Sequence, residues 1–156
     1  MAWTTLFFAL VISMFTLITH EEGRQFNNAI ERQQTQEAGT IAMQMLNLSQ
    51  YFGHWRWQNP GATTLPAISS LGLPFSAPDD RIHYALSGGR LWVWVDIAEV
   101  PGIETRLRTL SLGSGLVLRW QSGQLYDSQG KAISMTGLTI PAPLSATNTT
   151  QLLHLN

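Results

Sequence analysis

The acid–base groups in this 156-residue chain that could do chemistry are His54, His83, His154, Asp79, Asp80, Asp96, Glu99 and Asp127. Proton transfer requires such groups to converge within hydrogen-bond reach of one another and of a substrate. None of them stands in a metal-ligand spacing such as HExxH, and neither GxSxG nor a phosphate-cradling glycine loop occurs. Asp79-Asp80 follows Pro78 just ahead of a strand pattern, where a turn explains the pair better than catalysis does. Ser87 and Ser122 sit in turn sequences for ordinary structural reasons. No catalytic residue is assigned, and neither a metal nor a cofactor is expected.

Aromatic side chains make better candidates for binding. In the stretch RLWVWVDI, Leu91, Val93, Val95 and Ile97 alternate with Arg90, Trp92, Trp94 and Asp96. Period-two geometry puts the two tryptophans on one face of a strand and the aliphatic row on the other. With the aliphatic row packed on helices, Trp92 and Trp94 lie on the other face, where they either form a second small cluster with the loop at residues 58–80, dock a partner together with Arg90, or make a ligand platform.

The elements that position these residues can be read from periodicity. Residues 20–37 are polar and rich in Glu, Gln and Arg, which suits a solvated helical stalk. Ala38, Ile41, Ala42, Met45, Leu48 and Phe52 then recur at three- and four-residue intervals, which predicts an amphipathic helix ending near Gly53, with a bend at Gly39. His54-Trp55-Arg56-Trp57 is expected to close one end of the domain core. Residues 58–80 hold four prolines and predict an irregular connection. Ile82, Tyr84 and Leu86 alternate ahead of Ser87-Gly88-Gly89, so the segment through RLWVWVDI reads as a β-hairpin.

Pro101 suits a first helical turn, and Ile103, Leu107 and Leu110 predict a short helix ending near Gly113. GLVLRW at 115–120, the turn Gln121-Ser122-Gly123 and QLYDS form a second hairpin. SGGRLW at 87–92 matches QSGQLY at 121–126, an internal echo 34 residues apart. A last weak strand is expected around Ile133 or in the C-terminal LLHLN. The fold class is therefore α+β, an αββαββ order making a four-stranded antiparallel sheet with both helices on one face.

Charged residues make up only 12% of the chain and the net charge is −1, so no basic field exists to attract nucleic acid. The absence of cysteine excludes disulfides, thiolate catalysis and Cys-ligated zinc. Residues 3–19 (WTTLFFALVISMFTLIT) contain no charge, proline or glycine. As a helix they would extend about 25 Å, near the lower end of spans that cross a hydrocarbon core of about 30 Å. A cleaved export signal is the alternative, but no Lys or Arg precedes Arg24, and Leu17 and Thr19 match a small-residue cleavage site poorly. An uncleaved single-pass anchor at 1–19, with Trp3 at its edge and Phe7, Leu10, Phe15 and Leu17 in the apolar span, is the expected reading. A stalk at 20–37 and a domain at 38–156 on the far side complete the organisation.

The uncharged N-terminal span, GGRLWVWV and the stretch PGIETRLRTLSLGSGLVLRWQSGQLYDSQG together resemble the small PilM family of type IVB (conjugative-plasmid thin) pilus biogenesis proteins. That family is distinct from the larger actin-like proteins that share its name. The resemblance implies a bacterial inner-membrane component with a periplasmic C-terminal domain, no known catalysis, and other pilus or secretion assembly proteins as partners. The anchor–stalk–αββαββ order is also similar to bitopic assembly-platform proteins of type II secretion. Their periplasmic domains are circularly permuted ferredoxin-like folds that dimerise, which implies a homodimer here. The competing expectations are a membrane-tethered periplasmic enzyme or small-ligand binder built around His83, and a pilin-like subunit suggested by FTLI at 15–18.

Overall fold

A computed structural model describes residues 2–155, with side chains described from residue 29 onward. The chain divides into two compact units, Met1–Gln34 and Thr35–Asn156. Helix α1 spans Ala2–Gln58, so residues 2–19 of the expected anchor have a helical backbone. The side chains of Trp3, Phe7, Leu10, Phe15 and Leu17 lie outside the described residues. Among the described residues, no helix is long and apolar enough to cross a membrane. The remaining elements are β1 (His83–Ser87), β2 (Arg90–Asp96), α2 (Ile103–Leu110), β3 (Val117–Gln121), β4 (Gln124–Tyr126), α3 (Ala142–Ser145) and β5 (Gln151–Leu155).

The α1 stripe folds as its spacing predicts: Ala38, Ile41, Ala42, Met45, Leu48 and Phe52 are all buried. The helix does not stop at Gly53, and the assignment is unbroken at Gly39. The HWRW segment therefore forms its last turn, where Trp57 is 79% exposed rather than closing the core. Residues 59–80 carry only a 3₁₀ turn at Ile68–Ser70. Leu65, Ile68, Leu71, Leu73 and Phe75 from this segment pack against the α1 side of the sheet.

The sheet has five strands rather than four, all antiparallel, in the order β1-β2-β5-β3-β4. The C-terminal strand is the central one. β2 and β3 do not pair with each other; each pairs with β5, and Leu152 and Leu153 are fully buried there. The two hairpins share one turn geometry, with positive φ at both central residues in Gly88-Gly89 and in Ser122-Gly123, as two-residue hairpins favour. A Cβ on Gly88 would lie 2.8 Å from Cβ of Thr139, so this turn requires glycine for space as well as for φ.

Each face of the sheet carries its own core. Leu91, Val93, Val95, Val117 and Leu152 meet α1 and α2 on one side. Trp92, Trp94, Trp120, Leu118, Leu153 and Leu155 meet Leu125, Ile133, Met135, Leu138, Ile140 and Leu144 on the other. The expected separation of aliphatic and tryptophan rows is present. The tryptophan face is nevertheless covered, and the cover is the segment at 132–145 rather than residues 58–80.

Candidate functional site

The residues singled out by chemistry do not converge. Asp79 accepts from Nε of Arg81 at 2.8 Å and from its NH2 at 2.9 Å. Arg81 also reaches Glu37 of α1 at 2.7 Å, and the Asp79 backbone N–H donates to Gln44 at 2.8 Å. The Arg81 hydrogen bonds hold the Asp79 carboxyl below its ordinary range. These groups pin the start of β1 to α1. Asp96 accepts from Ala98 N–H at 2.8 Å, and Asp127 accepts from Gln129 N–H and Lys131 N–H at 2.8 and 2.9 Å. Both are turn-forming carboxylates.

His83 is exposed on β1, its ring 5.8 Å from that of Trp94. His54 is exposed in the last turn of α1 and lies 3.1 Å from the Gln58 amide. His154 is buried in β5 on the helix-facing side, directly opposite Val93 on one neighbour and Val117 on the other. Its Nδ1 has no hydrogen-bond partner among the described residues, and burial pushes its pKa down. Among the described residues no group of three or more His, Asp or Glu is arranged to hold a metal ion.

The expected docking patch is differently placed. Trp92 is fully buried and Trp94 is 2% exposed, while Arg90 is exposed. Trp92 donates from Nε1 to the Ser87 carbonyl at 3.3 Å. These tryptophans hold the 132–145 cover in place. The physical reason for the difference is that a tryptophan face this large is costly to leave in water, and a downstream segment supplies five apolar side chains to bury it.

An open surface that periodicity did not reveal runs between α1 and α2. It is an open groove of about 520 Å³ whose walls include Gly39, Met43 and Asn47 of α1, Phe75, and Arg106 and Leu110 of α2. Met43 is 49% exposed and Leu110 is 38% exposed. The three α1 residues recur every four positions, so they form one stripe beside the buried face. A Cβ at Gly39 would meet nothing within 4 Å, so the helix backbone is bare there. Leu110, one of the apolar positions that predicted α2, edges this groove. Arg106 has no ion-pair partner among the described residues, whereas Arg108 and Arg119 both bind Glu104, at 2.8 and 2.7 Å. The site is thus apolar in the middle, with Arg106 at its edge unpaired among the described residues, a form suited to docking a protein segment. Its sequence signal was present in Met43, an apolar residue off the buried stripe of α1.

The chain is similar to the crystal structure of a PilM protein from Escherichia coli B7A, at 28% identity and a TM-score of 0.61, over 80% of this chain and 94% of that one. No curated protein matches it. A family model described as PilM matches residues 10–149, and with nine-tenths of its length inside that match the chain belongs to the PilM family.

Proposed function

We propose that the chain is a single-pass inner-membrane component of a type IVB pilus assembly apparatus, working as a non-catalytic scaffold. Residues 3–19 are the anchor, and the domain beyond the stalk lies in the periplasm. The domain docks another assembly protein through the α1–α2 groove. The observation that carries this reading is the pairing of exposed Met43 and Leu110 and partly buried Phe75 with Arg106, which is unpaired among the described residues. The occupant this chemistry fits is an amphipathic segment of a partner, with apolar side chains three or four residues apart and a carboxylate beside Arg106. Membership of the PilM family supports a role in pilus biogenesis. The resemblance of the anchor-and-stalk arrangement to bitopic type II secretion assembly-platform proteins supports the scaffold role and, with it, a homodimer.

Two experiments test the parts separately. Alkaline carbonate extraction of membranes holding the full chain tests the anchor: the protein should stay in the pellet, and release into the wash would remove that part. Co-purification of the full chain in mild detergent from cells expressing the pilus operon tests docking. Arg106→Glu and Met43→Asp should each lose a pilus-assembly partner retained by the wild type and by Lys131→Glu. Equal recovery by all four proteins would overturn the groove as the docking site.

A further inference from the structure

A cleft of about 280 Å³ lies at the end of α1, between Pro60–Thr63 and the β1–β2 turn at Leu86–Gly89. Arg56, from the last turns of α1, lines it and donates one guanidinium N–H to the Ala62 carbonyl. That bond engages one of five donors. A Cβ on Gly89 would sit 3.7 Å from Nη2 of Arg56, so the guanidinium lies against the turn. Among the described residues Arg81, Arg108 and Arg119 each have a carboxylate partner, and Arg56, although partly buried, has none. The sequence accounts for this: residues 38–78 and 82–95, which supply the whole lining, contain no Asp or Glu.

The other polar groups here are donors without an acceptor. Thr63, Ser87, Gly88 and Gly89 line the cleft, and among the described residues neither the two hydroxyls nor the two glycine N–H groups donate a hydrogen bond. A partly buried guanidinium surrounded by donors and lacking a counter-charge calls for an anion. We propose that this cleft binds a single carboxylate, gripped by Arg56 and completed by Thr63, Ser87 and the turn. One cation lines the cleft, so one negative charge is balanced there, whereas a phosphate dianion would leave a second uncompensated. Pro60, Ala62 and Leu86 supply apolar wall for the carbon atoms that carry the carboxylate. A peptide's C-terminus and a glutamate side chain both offer this chemistry. The site is separate from the α1–α2 groove, with which it shares no residue.

The test titrates the isotope-labelled full chain in mild detergent and follows amide resonances by NMR. The probes are N-acetyl-alanyl-alanine, its C-terminal amide, N-acetyl-glutamic acid α-amide and inorganic phosphate. The dipeptide acid, the glutamate probe or both should shift the Gly88 and Gly89 amides and bind at least about tenfold more tightly than the dipeptide amide. The tighter of the two carboxylates identifies the source. Arg56→Gln should weaken carboxylate binding about tenfold or more, and Thr63→Val about threefold. Arg106→Gln, in the groove, should leave it unchanged. Carboxylates binding no better than the amide, unmoved Gly88 and Gly89 resonances, or phosphate bound more tightly than either carboxylate would each overturn the proposal. So would loss of carboxylate binding in Arg106→Gln, which would place the anion in the groove instead. The comparison of carboxylate with amide is made on the wild type, so it gives the answer even where Arg56→Gln does not fold.

Discussion

Removing the indole of Trp92 should cost far more stability than removing that of Trp57, although both are tryptophans in aromatic-rich segments. Trp92 is fully buried in the second core, opposite Leu155 on β5 and under the 132–145 cover. A buried tryptophan hides about 150–250 Å², which at about 25 cal/mol per Å² corresponds to roughly 4–6 kcal/mol of transfer free energy. Part of that is retained by alanine, while the cavity adds to the loss, so Trp92→Ala should destabilise by about 3–5 kcal/mol. Trp92→Phe keeps most of the packing. It also leaves the Ser87 carbonyl bonded to Arg90 across the turn, so its cost should be about 1–2 kcal/mol. Trp57, 79% exposed, should change stability by no more than about 0.5 kcal/mol on substitution by alanine. Urea unfolding of the full chain in mild detergent, followed by circular dichroism, measures all three. Should Trp92→Ala not fold, Trp92→Phe against Trp57→Ala still decides. Equal midpoints and slopes for the Trp92 and Trp57 variants would refute the covered tryptophan core.

His154 gives a pH signature. Its folded pKa lies below its ordinary value of 6.5 because burial disfavours the charged ring. The unfolded chain therefore binds the proton first as pH falls. Stability is full above pH 6.5 and declines below it until the folded pKa is passed, with a slope of at most about 1.4 kcal/mol per pH unit. Unfolding midpoints of wild type and His154→Leu should diverge on acidification from pH 7.5 to 5; parallel curves would contradict the assignment. For Glu104, burial acts to raise the carboxyl pKa, but hydrogen bonds from Arg108 and Arg119 outweigh it and hold the pKa below 4.5. Its contribution is present above pH 4.5 and is lost as pH falls through the folded value. Glu104→Gln should thus cost about 1 kcal/mol at pH 7, a value discounted for partial exposure, with the difference from wild type shrinking near pH 3. Gly88→Ala should cost about 1–3 kcal/mol in thermal unfolding, because φ is +58° and Thr139 occupies the space a methyl needs. Gly61→Ala, which meets nothing within 4 Å and has no positive φ, is the neutral control.

Much of the framework was legible because burial leaves a period in the sequence. The buried stripe from Ala38 to Phe52, the alternation in Arg90–Asp96 and the paired turns at Gly88-Gly89 and Ser122-Gly123 all carry that mark. The central position of β5 was not legible. A strand buried on both faces has no alternation, and QLLHL reads as a short apolar tail until β2 and β3 are placed beside it. The 132–145 cover was missed for the opposite reason. Its apolar residues Ile133, Met135, Leu138, Ile140 and Leu144 follow neither the helical nor the strand period, and they lie among Ser, Thr, Gly and Pro. Without that cover the tryptophan face looked open. The groove depends on α1 and α2 lying side by side, and no local pattern encodes that neighbourhood. Only the odd placement of Met43 on α1 hinted at it.

The most direct test of the docking groove is site-specific photocrosslinking in cells that express the whole pilus operon. A photoreactive amino acid is placed at Met43 or Leu110 in the groove, or at Trp57 or Lys131 away from it, and adducts are identified by mass spectrometry. The expected result is an adduct to another pilus-assembly protein from Met43 and Leu110, absent from Trp57 and Lys131, and lost when Arg106→Glu is added. Adducts of equal yield from all four positions, or groove adducts that survive Arg106→Glu undiminished, would contradict it.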